Sequence, residues 1–165
     1  SKMLPAYDVG DHLHPNAVGF KAMAQGRIAA DVVAGVSSSA FDARAIPSAI
    51  FTDPQIACCG IMEEDAKTQA LEHAVLKMPW GASGRAVGMG RAGEGLTKII
   101  HEPKSQLVLG VGIVGPHACE MIGEAGLAIE MGPVLTDLAE TLHPHPTMSE
   151  MIAEAAKSAR DVERR

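Results

Sequence analysis

The stretch LHPHPTMSE, Leu142 to Glu150, gathers two imidazoles, two prolines and a carboxylate. Imidazole titrates near neutral pH and is the side chain best suited to give or take a proton there. A carboxylate bound to one ring nitrogen fixes the tautomer and leaves the other nitrogen as a base. From the first turn of a helix, Glu150 can reach back to His145, held extended just before Pro146. The same letters admit a second reading. TMSE matches a capping box, with Thr147 at the N-cap and Glu150 three residues on, where the carboxylate binds the Thr147 amide. One carboxylate has two oxygens, so it can be shared in part, with one of the two partners expected to dominate. On spacing alone both roles stay open. Nothing near the His-Pro-His tract completes a metal site with recognisable ligand spacing, so no metal is assigned.

The elements that must position these groups follow from periodicity. TMSEMIAEAAKSARDVERR reads as a helix with Met148, Met151, Ile152 and Ala155 on one side. PVLTDLAETL reads as a short helix, and PHACEMIGEAGLAIEMG as a longer one. In that longer helix Gly123 and Gly126 each cost about 1 kcal/mol relative to Ala, which implies another backbone packed close by. Upstream, LTKIIHEPKSQLVLGVGIVG reads as a hairpin turning at EPKS. EHAVLKMPW, QIACCGI and IPSAIFTDP read as strands, MEEDAKTQAL as a helix with acids in its first turn, and GASGRAVGMGRAGEG as a glycine-rich loop. The chain opens differently. AYDVGDHLHP reads as a strand ending in a Gly-Asp turn, and a helix follows with Ala17, Phe20, Ala24, Ile28 and Val32 at near-helical spacing and Gly35 as its stop. A polar connection follows, with a boundary near Ala43. Strands followed by helices predict an α+β fold with an antiparallel sheet. An opening βα unit has no sheet of its own to join.

Composition narrows the function classes. A chain of 165 residues with 47% apolar content can bury a core, but 3% aromatics means that core rests on Ala, Val, Ile, Leu and Met. Its 14 Lys and Arg are scattered and the net charge is -6, which leaves no basic stripe for nucleic acid and no basic amphipathic helix for a membrane surface. The longest uncharged apolar stretch, Gln106 to Cys119, is too short to span a bilayer. Three cysteines form no disulfide framework, and adjacent Cys58 and Cys59 are expected on opposite faces of a strand. A cytoplasmic, reducing setting fits.

Taken in order, AIPSAIFTDPQIACCGIMEEDAK, MPWGASGRA, GEAGLAIEMG and LHPHPTMSE resemble the pyridine nucleotide–disulfide oxidoreductase family, and within it the dihydrolipoamide dehydrogenases. AYDVGD resembles the turn whose aspartate binds FAD. The resemblance implies that His145 is the catalytic base, that Glu150 is its carboxylate partner, that the His145–Pro146 bond is cis, and that Asp11 holds the FAD ribityl chain. Without the resemblance, Asp11 would read as an ordinary Asx turn. It further implies that residues 1–43 are the tail of an FAD-binding domain and residues 44–165 a dimerisation domain. Phe20, where many relatives carry histidine, and Asp8, where they carry a small apolar residue, depart from the pattern.

The resemblance implies an intact enzyme in which dihydrolipoamide reduces an active-site disulfide and electrons pass through FAD to NAD. The base there comes from the other subunit of a homodimer, and the partner is a lipoyl-bearing protein of a 2-oxo acid dehydrogenase complex or of a glycine cleavage system. An N-terminal G-x-G-x-x-G fingerprint, a redox C-x-x-x-x-C pair and a second dinucleotide domain are not read in this chain, and Cys58 and Cys59 have the wrong spacing for the pair. The chain is therefore expected to be a C-terminal portion, inactive and without flavin when isolated. Glutathione-reductase-like and mercuric-reductase-like proteins are alternatives. The former usually carry a single histidine before PTSSE, and the latter end in a vicinal cysteine pair without this histidine. A non-catalytic dimerisation module is a third reading.

Overall fold

The computed structural model describes residues 17–36, 40 and 42–163, with no description of the side chains of residues 17–20 and 160–163. The opening strand, Asp8 and Asp11 lie outside the described residues, as does the Phe20 side chain. The first described helix, α1 (Ala17–Val33), ends where Gly35 adopts a left-handed φ of 70°. None of its described side chains is buried; Ala24, Ile28 and Asp31 are half-buried.

From Ser48 onward the chain forms the predicted antiparallel sheet. Its strands are β1 (Ser48–Ile50), β2 (Ile56–Gly60), β3 (Ala74–Pro79), β4 (Leu96–His101) and β5 (Val108–Val114), in the order β1-β2-β5-β4-β3. β1 is shorter than IPSAIFTDP suggests and ends at Ile50; the Asp53–Pro54 bond beyond it is cis. Register places Leu76, Ile99, Val111 and Cys59 side by side across four strands. All four are buried. Period-2 alternation sends Cys58 to the opposite face, where it is only half-buried.

Helix α2 (Glu63–Thr68) follows β2, and its Glu63 pairs with Lys98 of β4 at 3.1 Å. Helix α4 (Ala118–Met131) packs on β1, β2 and β5 through Ala118, Met121, Ile122, Ala125 and Ile129. α5 (Leu135–Glu140) and α6 (Glu150–Glu163) pack on each other, and α6 also lies against β3 and β4. As the apolar stripe predicts, Met148, Met151, Ile152 and Ala155 are all buried.

Three expectations need correction. The glycine-rich segment after β3 is not a plain loop: it holds single helical turns at Trp80–Ala82 and Ala92–Glu94 and helix α3 (Gly84–Gly88). The cause is Trp80, whose indole is fully buried and donates from Nε1 to Thr97 Oγ1 at 2.9 Å. A Cβ on Gly95 or Gly115 would stand 2.0 or 2.2 Å from that ring, so glycine at both places makes the slot. Secondly, among the described residues no other backbone packs against Gly123 or Gly126. Nothing lies within 4 Å of a Cβ built on Gly123, and Gly126 meets the Cys59 sulfur at 3.6 Å. Thirdly, the G-x-G-x-x-G spacing does occur, at Gly88–Gly93 and at Gly110–Gly115. Gly110 and Gly112 sit inside β5, between antiparallel neighbours, and a Cβ on Gly110 would strike the Ile61 carbonyl. Gly88–Gly93 runs from the end of α3 to the helical turn at Ala92–Glu94. A dinucleotide fingerprint needs a turn between a parallel strand and a helix, and neither run stands in one.

Candidate active site

The candidate residues lie on the segment from α5 to α6. Thr141 ends α5 by donating from Oγ1 to the Asp137 carbonyl at 2.8 Å. Farther along, Thr147 Oγ1 donates to the Pro144 carbonyl at 2.8 Å and closes a turn around His145 and Pro146. The His145–Pro146 bond is cis, as the resemblance implies. Behind it stands the segment of α3: a Cβ on Gly84 would meet the Pro146 ring at 3.8 Å. Beneath it, Met148 and Ile152 are anchored in the core.

His145 and Glu150 come together. His145 Nδ1 lies 2.9 Å from Glu150 Oε1, and the other oxygen, Oε2, accepts the Thr147 amide at 2.7 Å. The two readings of Glu150 are thus both realised, one oxygen each, as two oxygens allow. Glu150 supplies the carboxylate half of the box, and the Thr147 hydroxyl donates outward to Pro144. These bonds hold the Glu150 carboxyl below its ordinary range, first through the Thr147 amide and then through His145. An ionised carboxylate only accepts, so the neutral His145 ring carries its proton on Nδ1 and its lone pair on Nε2. The His145 side chain is 78% exposed and that of Glu150 24%. The arrangement can take a proton at Nε2 and stabilise the resulting imidazolium through Glu150.

A second pair was missed by sequence reasoning. His143 Nε2 lies 2.8 Å from Glu124 Oε1 on α4, and His143 Nδ1 lies 3.1 Å from the Thr141 carbonyl. The His143 side chain is only 8% exposed. One signal could have found it: Glu124 sits beside the buried stripe Met121, Ile122 and Ala125, and an acid there calls for a partner. Asp11 lies outside the described residues. Among the described residues no group of three or more His, Cys, Asp or Glu could hold a metal, and no helix is long and apolar enough to cross a membrane.

Residues 46–156 match the family model described as "Pyridine nucleotide-disulphide oxidoreductase, dimerisation domain". Over 154 residues the chain is 44% identical to Dihydrolipoyl dehydrogenase 2 of Haloarcula marismortui, covering 93% of this chain and 32% of that protein. It is also 44% identical to the dihydrolipoyl dehydrogenase of Thermus scotoductus, covering 92% and 32%. The crystal structure of LpdA from Mycobacterium tuberculosis superposes with a TM-score of 0.74 at 29% identity, over 84% of this chain and 30% of that one. The HOCl-induced flavoprotein disulfide reductase RclA from Escherichia coli gives 0.72 at 27%, over 79% and 30%. The chain thus spans about a third of the length of the curated relatives it matches.

Proposed function

Because this chain belongs to the pyridine nucleotide-disulphide oxidoreductase family through its dimerisation domain, we propose that it is the C-terminal region of a dihydrolipoyl dehydrogenase. That activity oxidises dihydrolipoamide to lipoamide with NAD. The observation that carries the reading is the 2.9 Å contact between an exposed His145 and a partly buried, ionised Glu150. In this reading Nε2 of His145 accepts the proton of a dihydrolipoamide thiol. The S–H bond breaks, an N–H bond forms, and the thiolate becomes the nucleophile. Glu150 holds the ring and balances the new imidazolium charge.

FAD and NAD are the cofactors of the parent activity. Neither G-x-G-x-x-G spacing among the described residues forms a cradle for them: one lies inside β5 and the other, Gly88–Gly93, between α3 and the helical turn at Ala92–Glu94. Asp11 is assigned to FAD on the resemblance alone. Residues 1–43 are assigned to the tail of the FAD-binding domain and residues 44–165 to the dimerisation domain. A homodimer is part of the proposal, with His145 serving the opposite subunit. The α4 face with Leu127 68% and Met131 78% exposed, and with open space over Gly123, supports it. So is a lipoyl-bearing protein as partner. Free Cys58, Cys59 and Cys119 support a reducing, cytoplasmic setting.

The test is dihydrolipoamide-dependent NADH formation by the complete protein. His145→Gln should lower turnover by about 100-fold or more, the range of a lost general base. Undiminished turnover in that variant, or no reaction with dihydrolipoamide at all, overturns the proposal.

A further inference from the structure

Taking His145 as the base, we infer that His143 and Glu124 are positioning residues for it, a part-buried clasp that fixes how the α5–α6 segment presents the exposed imidazole. The inference rests on the reading above and adds to it a pair with no contact to the reacting atoms.

Three observations carry it. First, the clasp is a side-chain hydrogen bond that ties this segment to a distant element. His143 and Glu124 are 19 residues apart, whereas the other side-chain bonds of the segment described above span five residues or fewer. Second, Glu124 stands on a rigid support. Its neighbours Ile122 and Ala125 are buried against the sheet, and Gly126 rests on Cys59. A site carried by such an element is held more closely than one carried by a free loop. Third, only Pro144 separates His143 from His145, and proline fixes its own φ. Few free torsions therefore lie between the clasp and the base, so the orientation of one ring constrains the other.

The donor pattern gives the clasp its direction. Glu124 Oε1 and the Thr141 carbonyl are both acceptors, and a neutral ring has one N–H to give. The shorter contact, 2.8 Å against 3.1 Å, is the one to Glu124. A side chain at position 143 that keeps a donor aimed at Glu124 should therefore keep the function, and one that only fills the space should not.

The experiment uses the complete protein with histidines selectively labelled with 15N. The His145 ring signals are assigned by their loss in His145→Gln. In His143→Leu the ring is replaced by an apolar side chain. The expected result is a fall in kcat of roughly tenfold with KM nearly unchanged, in the range of lost orienting partners. With it, the His145 ring shifts should move from a single Nδ1–H tautomer toward a mixture, reporting a loosened bond to Glu150. In His143→Gln the side-chain amide places an N–H where Nε2 was, and both kcat and the ring shifts should return most of the way to wild type. Should His143→Leu fail to fold, Glu124→Ala removes the acceptor instead and carries the same expectation. A variant without the clasp whose melting temperature drops, but whose kcat and His145 shifts stay at wild-type values, overturns the inference. So does a Gln variant no better than the Leu variant. If His145→Gln itself retains turnover, the base reading fails, while the ring shifts still report whether the clasp positions the ring.

Discussion

His143 and His145 stand on either side of one proline, and each has a carboxylate within 2.9 Å, yet their side chains are 8% and 78% exposed. The difference lies in where the carboxylates come from. Glu124 belongs to α4, which is packed into the sheet, and its partner is drawn inward. Glu150 begins α6, and its partner is left at the surface. An imidazole taken out of water beside a carboxylate stabilises structure, because leaving that ring unpaired is costly. A ring left in water contributes little stability through the same contact, about 0–1 kcal/mol. Two imidazole–carboxylate pairs, their histidines two residues apart, are thus built for different ends: one holds, the other is available to react.

The largest effects should separate the two rings by what each loses. His143→Ala removes a nearly buried ring and leaves the half-buried Glu124 carboxylate without its donor, which should cost about 1–2 kcal/mol of stability. His145→Ala removes an exposed ring and should change stability by about 0.5 kcal/mol or less. Urea unfolding of both variants checks this. Equal losses would show that exposure does not distinguish the pairs and would break the comparison.

The next test concerns the exposed pair alone. Glu150→Gln keeps size and one acceptor but removes the charge that orients and stabilises His145. Turnover should fall by roughly 10–100-fold, and helix capping through Thr147 should weaken by at most about 1 kcal/mol. Added to His145→Ala, the same change should cost little further activity, because both residues serve one function. Independent, multiplying losses in steady-state kinetics would show that Glu150 only caps the helix.

How much of this was legible beforehand follows from the range of each interaction. The exposed pair is local: five residues, a proline before and a helix after, so spacing alone offers both partners of Glu150. What spacing could not supply was the division of one carboxylate between them, which depends on where the Thr147 hydroxyl turns. The α6 stripe and the sheet were legible because burial follows periods of 3.6 and 2. The clasp was not, because its members, 19 residues apart, meet only after the segment following α5 has folded back to α4. The helical turns after β3 were hidden for a similar reason. Glycines that read as flexible are there to admit Trp80, a residue that joins them only in the folded sheet. Gly123 misled in the opposite direction: a costly glycine implied a neighbour that the described chain does not provide.

The smallest expected effect sharpens the comparison at its finest point, the two oxygens of Glu150. Its carboxyl is lowered from an ordinary value of 4.5, with the Thr147 amide the larger cause and His145 the next. A group whose folded value is depressed contributes stability that is present above the unfolded value and is lost as pH falls through the folded one. Between wild type and Glu150→Gln, the difference in melting temperature should therefore shrink as the pH falls from about 5 through the unfolded value of 4.5 and below. Glu63 and Glu102, both lowered to about 2, also lose their contributions in acid, but they do so equally in the two proteins and cancel in the difference. A difference that grows over this acid range would mean that the Glu150 carboxyl is raised, and the shared geometry would then be wrong. Repeating the measurement in a His145→Ala background separates the oxygens. The Thr147 amide is the larger cause, so most of the acid-dependent difference should survive without the imidazole. If it vanishes, His145 rather than the helix start is what holds Glu150 ionised, and the exposed pair is the tighter of its two bonds.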